Sequence, residues 1–236
     1  MILINNTHSC VGKTATSLVI VNGSSSEPIP VSPGVPQGSV LGPLLFLIYI
    51  NDLPMNVKSK VRLFADDAAL TISTSSQSEI LQKDLDNRER WSHKWDMEFN
   101  PSKCQFIHIM IRSKNPIHTQ YTLHNCILES VSLAKYIGVD FSSDLSWDTQ
   151  INRISKKANN TLGFCRRNIK IHSESLKSSA YTVLVRSQLE YCSTVWCPFT
   201  NSNIPKLEAV QRRAARWVKH AYGQTSIVTE TMQSLH

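Results

Sequence analysis

Two adjacent aspartates, Asp66 and Asp67, stand between two β-compatible runs, Val61-Arg-Leu-Phe-Ala65 and Ala68-Ala-Leu-Thr-Ile72. Asp is at home in a tight turn, so the spacing predicts a hairpin with two carboxylates at its tip. Side by side the carboxylates repel each other, and a divalent cation relieves the repulsion. Hard Mg²⁺ takes one or two carboxylates and completes its shell with water and phosphate. An Asp-Asp pair by itself is also what an ordinary turn carries. Upstream, Gly34-Val-Pro-Gln-Gly-Ser-Val-Leu-Gly-Pro43 combines permissive glycines, rigid prolines and one amide side chain, Gln37. Such a segment can hold its backbone close to a flat ligand, or it can serve as a rigid entry to a helix.

Periodicity gives the elements that would position these residues. Residues 1–33 are weakly periodic, with one β-like run, Ser17-Leu-Val-Ile-Val21, ending at an Asn22-Gly23 turn before a Ser-rich loop. Leu44-Leu-Phe-Leu-Ile-Tyr-Ile50 follows Pro43 and stops before Pro54. The proline placement predicts a helix, apolar all round and therefore buried, although so short a run also suits a core strand. From Ser78 to Phe99, charges interleave with Ile80, Leu81, Leu85, Trp91 and Trp95, which predicts an amphipathic helix ending before Asn100-Pro101. A strand at about 104–111, a hairpin turning near His124-Asn125 and a strand at about 134–141 follow. From there the pattern is helical, over about 147–168, 173–192 and 203–222, with a boundary near 145. The order predicts an α+β fold, a small antiparallel sheet with packed helices followed by an all-α region.

The net charge of +7 is unevenly placed. Residues 1–149 carry 12 Lys/Arg against 14 Asp/Glu, whereas residues 150–236 carry 13 against 4. A basic lobe beside a near-neutral one suits a polyanion partner, because neutralising phosphates releases counterions. Lys156, Lys157, Arg166 and Arg167 cluster in the first of these helices, and Arg212, Arg213, Arg216 and Lys219 in the last. Each cluster reads either as a solvated face or as a phosphate contact. The six cysteines form no Cys-x-x-Cys pair and have no histidine spacing that completes a tetrahedral zinc site, so reduced thiols are expected. With no leader and no bilayer-length apolar stretch, an intracellular location, cytoplasm or nucleus, and no membrane partner are expected.

Gly34 to Asp52 followed by Phe64-Ala-Asp-Asp67 resembles the paired polymerase motifs of reverse transcriptases. The likeness continues through Asn100-Pro-Ser-Lys-Cys104, Lys135-Tyr-Ile-Gly-Val139, Gln188-Leu-Glu-Tyr-Cys-Ser-Thr-Val-Trp196 and Leu207-Glu-Ala-Val-Gln-Arg-Arg-Ala-Ala-Arg-Trp217. This ordered set resembles the non-LTR, LINE-type retrotransposon enzymes and covers about residues 18–235. The resemblance implies a right-hand polymerase: residues 1–33 precede the palm motif, 34–145 form a partial palm, and 146–236 form a helical, basic thumb. It implies Asp66 as direct metal ligand and Asp67 as supporting carboxylate for two Mg²⁺ ions. Pro36, Gln37 and Gly38 would lie against the incoming nucleotide, and Lys103 would protonate the departing pyrophosphate. Tyr136, Ile137 and Gly138 would grip the primer end. The basic thumb residues Lys156, Lys157, Arg166, Arg167, Arg212, Arg213 and Arg216 would hold the nucleic-acid backbone. The implied partners are an RNA template with a DNA primer, the RNA–DNA duplex, and deoxynucleoside triphosphates.

The sequence departs from the family at one point that bears on the chemistry. The family carries a further catalytic aspartate on a separate palm strand upstream of the Gly34 segment, and from Met1 to Pro33 the only acidic residue is Glu27. The fingers and an endonuclease region find no match either. The expectation is a chain that opens midway through the palm, with an open sheet edge, inactive alone and competent only within a complete enzyme. The alternative is a non-catalytic, nucleic-acid-binding relic of a retrotransposon.

Overall fold

The apolar opening of the chain becomes the centre of a sheet. Strand β1 (Ile2–His8) is followed by short ladders of β2 (Thr16–Ser17) with β5 (Ile29–Pro30) and of β3 (Ile20–Val21) with β4 (Ser24–Ser25). The expected Asn22-Gly23 turn joins β3 to β4, with both residues at positive φ, 50° and 83°. Next come α1 (Gly42–Tyr49), β6 (Lys60–Phe64), β7 (Asp67–Thr71), α2 (Ser78–Lys94), β8 (Glu98–Phe99) and β9 (Gln105–Phe106). The hairpin of β10 (Thr122–Leu123) and β11 (Cys126–Ile127), then β12 (Glu129–Ser130), β13 (Leu133–Tyr136) and β14 (Val139–Ser142), precede the helical region. The computed structural model describes residues 1–8, 16–30, 40–73, 78–95, 97–110, 119–170 and 172–220, which divide into two units, Met1–Ile137 and Gly138–His236.

The main sheet of the first unit runs β12-β9-β1-β7-β6, with β8 also paired to β1. All its pairings are antiparallel except β12 with β9. The edge of β7 that faces away from β6 is therefore covered by β1, and among the described residues β6 is the strand left at this edge of the sheet. Ile2 to Asn5 pair with Leu70 to Asp67, because a short apolar run supplies both the ladder hydrogen bonds and the packing that β7 needs.

One face of this sheet, with Ile2, Ala68, Leu70 and Phe106, packs against Leu81 and Leu85 of α2. Helix α2 ends at Lys94 rather than at Phe99: the Met97 amide closes the helix end on the Ser92 carbonyl, and Glu98–Phe99 joins β1 as β8. Tertiary pairing thus overrides the helical pattern in the last residues. The expected strand at about 104–111 is paired only over Gln105–Phe106, with 111–118 outside the described residues, and that at about 134–141 is broken at Ile137-Gly138.

Helix α1 forms as expected but is not buried all round. It rests on the core through Phe46 and Tyr49, while Leu44, Leu45, Leu47 and Ile48 are exposed. A single supporting layer covers one stripe of a helix, so an all-apolar helix leaves its remaining faces bare. Just beyond it, the Asp52 carboxylate accepts hydrogen bonds from the indole N–H of Trp91 at 2.7 Å and of Trp95 at 3.1 Å, which ties the α1 exit to α2.

The second unit is helical: α3 (Asp148–Asn168), α4 (Glu174–Ala180), a π-helical stretch (Tyr181–Arg186), α5 (Ser187–Glu190), α6 (Ser193–Trp196) and α7 (Ile204–Lys219). Ala158, Leu162 and Cys165 of α3 recur at helical spacing and pack on Val210, Ala214 and Trp217 of α7. Arg153 donates to Asp140 and to the Gly138 carbonyl, fastening β14 to α3. Among the described residues no helix is long and apolar enough to cross a membrane.

Buried Asp84 accepts from the backbone amides of Lys58 and Ser59, the latter at 2.7 Å, and lies in the field of buried Arg88. Burial pushes Arg88 down to about 10, against the opposing pull of Asp84 and Asp52, so it is cationic at neutral pH. Asp84→Ala strands both the amides and the cation, and is expected to destabilise the protein by about 3 kcal/mol. The urea midpoint reads this, and a change under about 0.5 kcal/mol, that of an ordinary surface substitution, would contradict it.

Candidate carboxylate site and basic face

The register Phe64↔Asp67 leaves Ala65 and Asp66 as a two-residue hairpin loop. Ala65 takes φ 50°, a left-handed conformation that costs an L-residue about 1 kcal/mol. Asp66 is therefore the exposed tip, and Asp67 is the half-buried first residue of β7 rather than a turn residue. Burial, and then the charge of Asp66, hold the Asp67 carboxyl above the usual aspartate range. A divalent cation would relieve the second of these effects, so the donor set fits a hard metal ion.

Side chains alternate along a strand, so Asp67 shares a face with Ala69, and Ala69 packs with Leu3, Ala134 and Tyr136. Tyr136 thereby enters the field of the hairpin. Its phenol is pushed up by burial first and by Asp67 second, with Arg62 opposing. Arg62 pairs with Ala69 across the ladder and so belongs to the same face. Arg62 was not among the residues singled out from the sequence; the signal lies in the hairpin register, which sets an alternate residue of β6 on the Asp67 side. On the other side of β7, the residue in register with Asp67 is Asn5.

The remaining residues are more scattered. Lys103 is exposed at the end of a 3₁₀ turn, Pro101–Lys103, capped by the Asn100 side chain. Ile137 and Gly138 both take positive φ, 46° and 74°, making a tight turn directly after Tyr136. A side chain at Gly138 would also meet the Tyr191 ring, 3.3 Å from a Cβ there. Pro36, Gln37 and Gly38 lie outside the described residues.

In the second unit Lys156, Lys157, Arg166 and Arg167 of α3 are exposed. Arg213 of α7 is exposed and donates to Asn159 of α3 at 2.7 Å. Asn159 lies one turn from Lys156 and Gly163, and Arg167 one turn further, so these residues form a stripe along α3 that Arg213 joins. Arg212 and Arg216 are half-buried rather than fully exposed, because they flank the buried face of Val210, Ala214 and Trp217. Arg212 is further engaged by Glu208, and Lys219 by Glu174.

Residues 3–158 match the family model described as reverse transcriptase (RNA-dependent DNA polymerase). The chain belongs to the reverse transcriptase family. It is 28% identical over 213 residues to the probable RNA-directed DNA polymerase from transposon BS of Drosophila melanogaster, an alignment covering 84% of this chain and 24% of that protein. To the RNA-directed DNA polymerase from mobile element jockey of the same species it is 25% identical over 219 residues, covering 86% of this chain and 24% of the relative. The chain thus spans about a quarter of the length of the curated relatives it matches. The LINE-type resemblance of its motifs holds, in a reverse transcriptase domain of mixed α and β content with small sheets and several helices.

Within this reverse transcriptase domain Asp67 is expected to titrate above an ordinary aspartate, and Asp66→Asn to move its midpoint down, though burial keeps it raised. Since the folded-state value is raised, protonated Asp67 favours folding below the ordinary aspartate range, and that contribution fades as pH rises through the raised value. Carboxyl ¹³C NMR titration measures both midpoints. An unmoved Asp67 midpoint in the variant would remove Asp66 as a cause.

Proposed function

We propose that this chain is an RNA-directed DNA polymerase domain in which Asp66 and Asp67 hold Mg²⁺ for template-primed nucleotidyl transfer. The observation that carries the reading is the hairpin itself: two adjacent carboxylates on a fixed two-residue turn, one of them held above its usual range by burial and by the other. Bound there, divalent metal ions supply charge neutralisation and in-line alignment of attacking and leaving oxygens. Asp66, exposed at the tip, ligates directly, and Asp67 supports it from the strand. Arg62 offsets the negative charge of the same face. Lys103 donates a proton to the departing pyrophosphate, and Pro36, Gln37 and Gly38 line the incoming deoxynucleoside triphosphate. Tyr136, Ile137 and Gly138 turn the chain beside the carboxylates to meet the primer end. In this reading the first unit is a palm and the helices of the second a thumb, whose α3 stripe and Arg212, Arg213 and Arg216 hold the RNA–DNA duplex.

One observation favours a second reading, a non-catalytic nucleic-acid-binding relic. The strand beside Asp67 has Asn5 in register with it, and Ile2–His8 contains no acidic residue, so the hairpin alone gives two carboxylates to a cage that needs more. Primer extension on an RNA template separates the readings. The expected outcome is duplex binding without turnover by the 236-residue chain. DNA synthesis should appear when the chain is fused behind the fingers and first palm strand of a closely related element, and Asp66→Asn should abolish it. A folded fusion that binds duplex but never extends would favour the relic.

The duplex-binding part is tested separately. Changing Lys156, Lys157, Arg166 and Arg167 together to Gln is expected to flatten the slope of log affinity against log salt by up to about 3.6, near 0.9 per lost phosphate contact. Fluorescence anisotropy across a salt series measures it. An unchanged slope would take this face out of the interface.

A further inference from the structure

We propose that Glu89, His93 and His124 form a binding site for a borderline transition-metal ion of the Zn²⁺ class, outside the carboxylate hairpin. Glu89 and His93 are one turn apart on α2, so their side chains leave the same helix face. His124 comes from the tip of the β10–β11 hairpin, where it and Asn125 take positive φ, 51° and 57°. That turn is fixed against α2 at two points. The Gln82 amide donates to the Thr122 carbonyl and accepts from the Thr122 amide, both at 3.0 Å, and the His124 backbone N–H donates to Glu89 Oε2 at 3.3 Å.

The geometry is close to that of a site awaiting an ion. Glu89 Oε1 lies 3.5 Å from His124 Nδ1 and 3.9 Å from His93 Nε2, and the three ligand atoms all lie within 4.8 Å of one another. Ligands held tetrahedrally by zinc at its usual bond lengths stand about 3.4 Å apart, so small side-chain adjustments close the set. Glu89 reaches the ion through Oε1 while Oε2 stays on the His124 amide, the kind of outer bond that orients a metal ligand. The His124 ring packs against Phe99, centroids 6.2 Å apart, and its Nε2 is buried without a protein partner. His93, with 71% of its side chain exposed, leaves the fourth position open to water or another ligand.

Two imidazoles and one carboxylate select the class of ion: nitrogen-rich sites favour Zn²⁺ and its neighbours, whereas Mg²⁺ prefers an all-oxygen shell. The hairpin and α2 are also joined by Gln82 and by the core cluster that Leu123 and Leu85 share, so a bound ion would act as a staple across the first unit.

The test is zinc binding by the reduced 236-residue chain, with excess Mg²⁺ present to occupy hard sites. One Zn²⁺ is expected to bind, and to raise Tm by about 5 °C when present at about a hundredfold over Kd. His93→Gln, His124→Asn, which keeps a residue tolerant of positive φ, and Glu89→Gln should each weaken zinc affinity about tenfold or more. The cobalt-substituted protein should show a d–d spectrum without a thiolate-to-metal charge-transfer band. Circular dichroism of His93→Gln, an exposed position, guards against misfolding. Zinc affinity unchanged in all three variants, or a thiolate band from the cysteines, would overturn the proposal.

Discussion

The arrangement of the first unit depends on one strand that cannot move. β7 is hydrogen-bonded on both edges, to β1 and to β6, and buried from both faces, Ala68 and Leu70 on one side and Ala69 on the other. A slip of one residue would exchange those faces and put Leu70 where the small Ala69 packs against Leu3 and Ala134. The register of β7 is therefore set by packing and not by its acidic end. Asp67 is the first residue of that strand, so its place is dictated by contacts that carry no charge.

The energetic consequences gather at the tip. The two-residue loop puts Ala65 in a left-handed conformation, and the same loop forces Asp66 next to Asp67. Both terms disfavour the turn as it stands, one steric and one electrostatic, and the buried strand behind it outweighs them. A turn held against such costs keeps the backbone of the two aspartates in place without a metal, which is preorganisation in the direction that the proposed chemistry requires. Tyr136 and Arg62 complete the face, Arg62 through the register of the same hairpin and Tyr136 from a strand far along the chain.

What was legible in the sequence follows from the range of the interactions involved. The Asn22-Gly23 turn, the 60–71 hairpin, the turn at His124-Asn125 and the helices α3 and α7 are local, and local patterns specify them. Strand β1 was missed because Ile2–His8 has only a short apolar start and no sustained alternation; its identity comes from β7 and β9, more than sixty residues away. The end of α2 was misplaced for the same reason, since β1 recruits Glu98–Phe99 from a helical pattern. The exposed flank of α1 was misread because apolar composition tells what a helix could bury, not what covers it. The Glu89, His93 and His124 cluster was invisible because its third member arrives from the β10–β11 hairpin, far along the chain from the two on α2.

Charge placement divides the proposed function between two kinds of ion. In the proposed site a phosphate oxygen would meet two carboxylates, and their mutual repulsion would oppose its binding. Nucleotide and metal ion would then bind there with positive coupling, each raising the affinity of the other by the same factor. The second unit carries an excess of basic residues, and its exposed α3 stripe would attract phosphate without help, through release of monovalent counterions. Under the proposed function, retention of a duplex would be governed by monovalent salt, and entry of a nucleotide by divalent metal. A polymerase domain built this way can hold its template–primer through repeated nucleotide exchanges, because loss of the metal and pyrophosphate at one site leaves the attraction at the other intact.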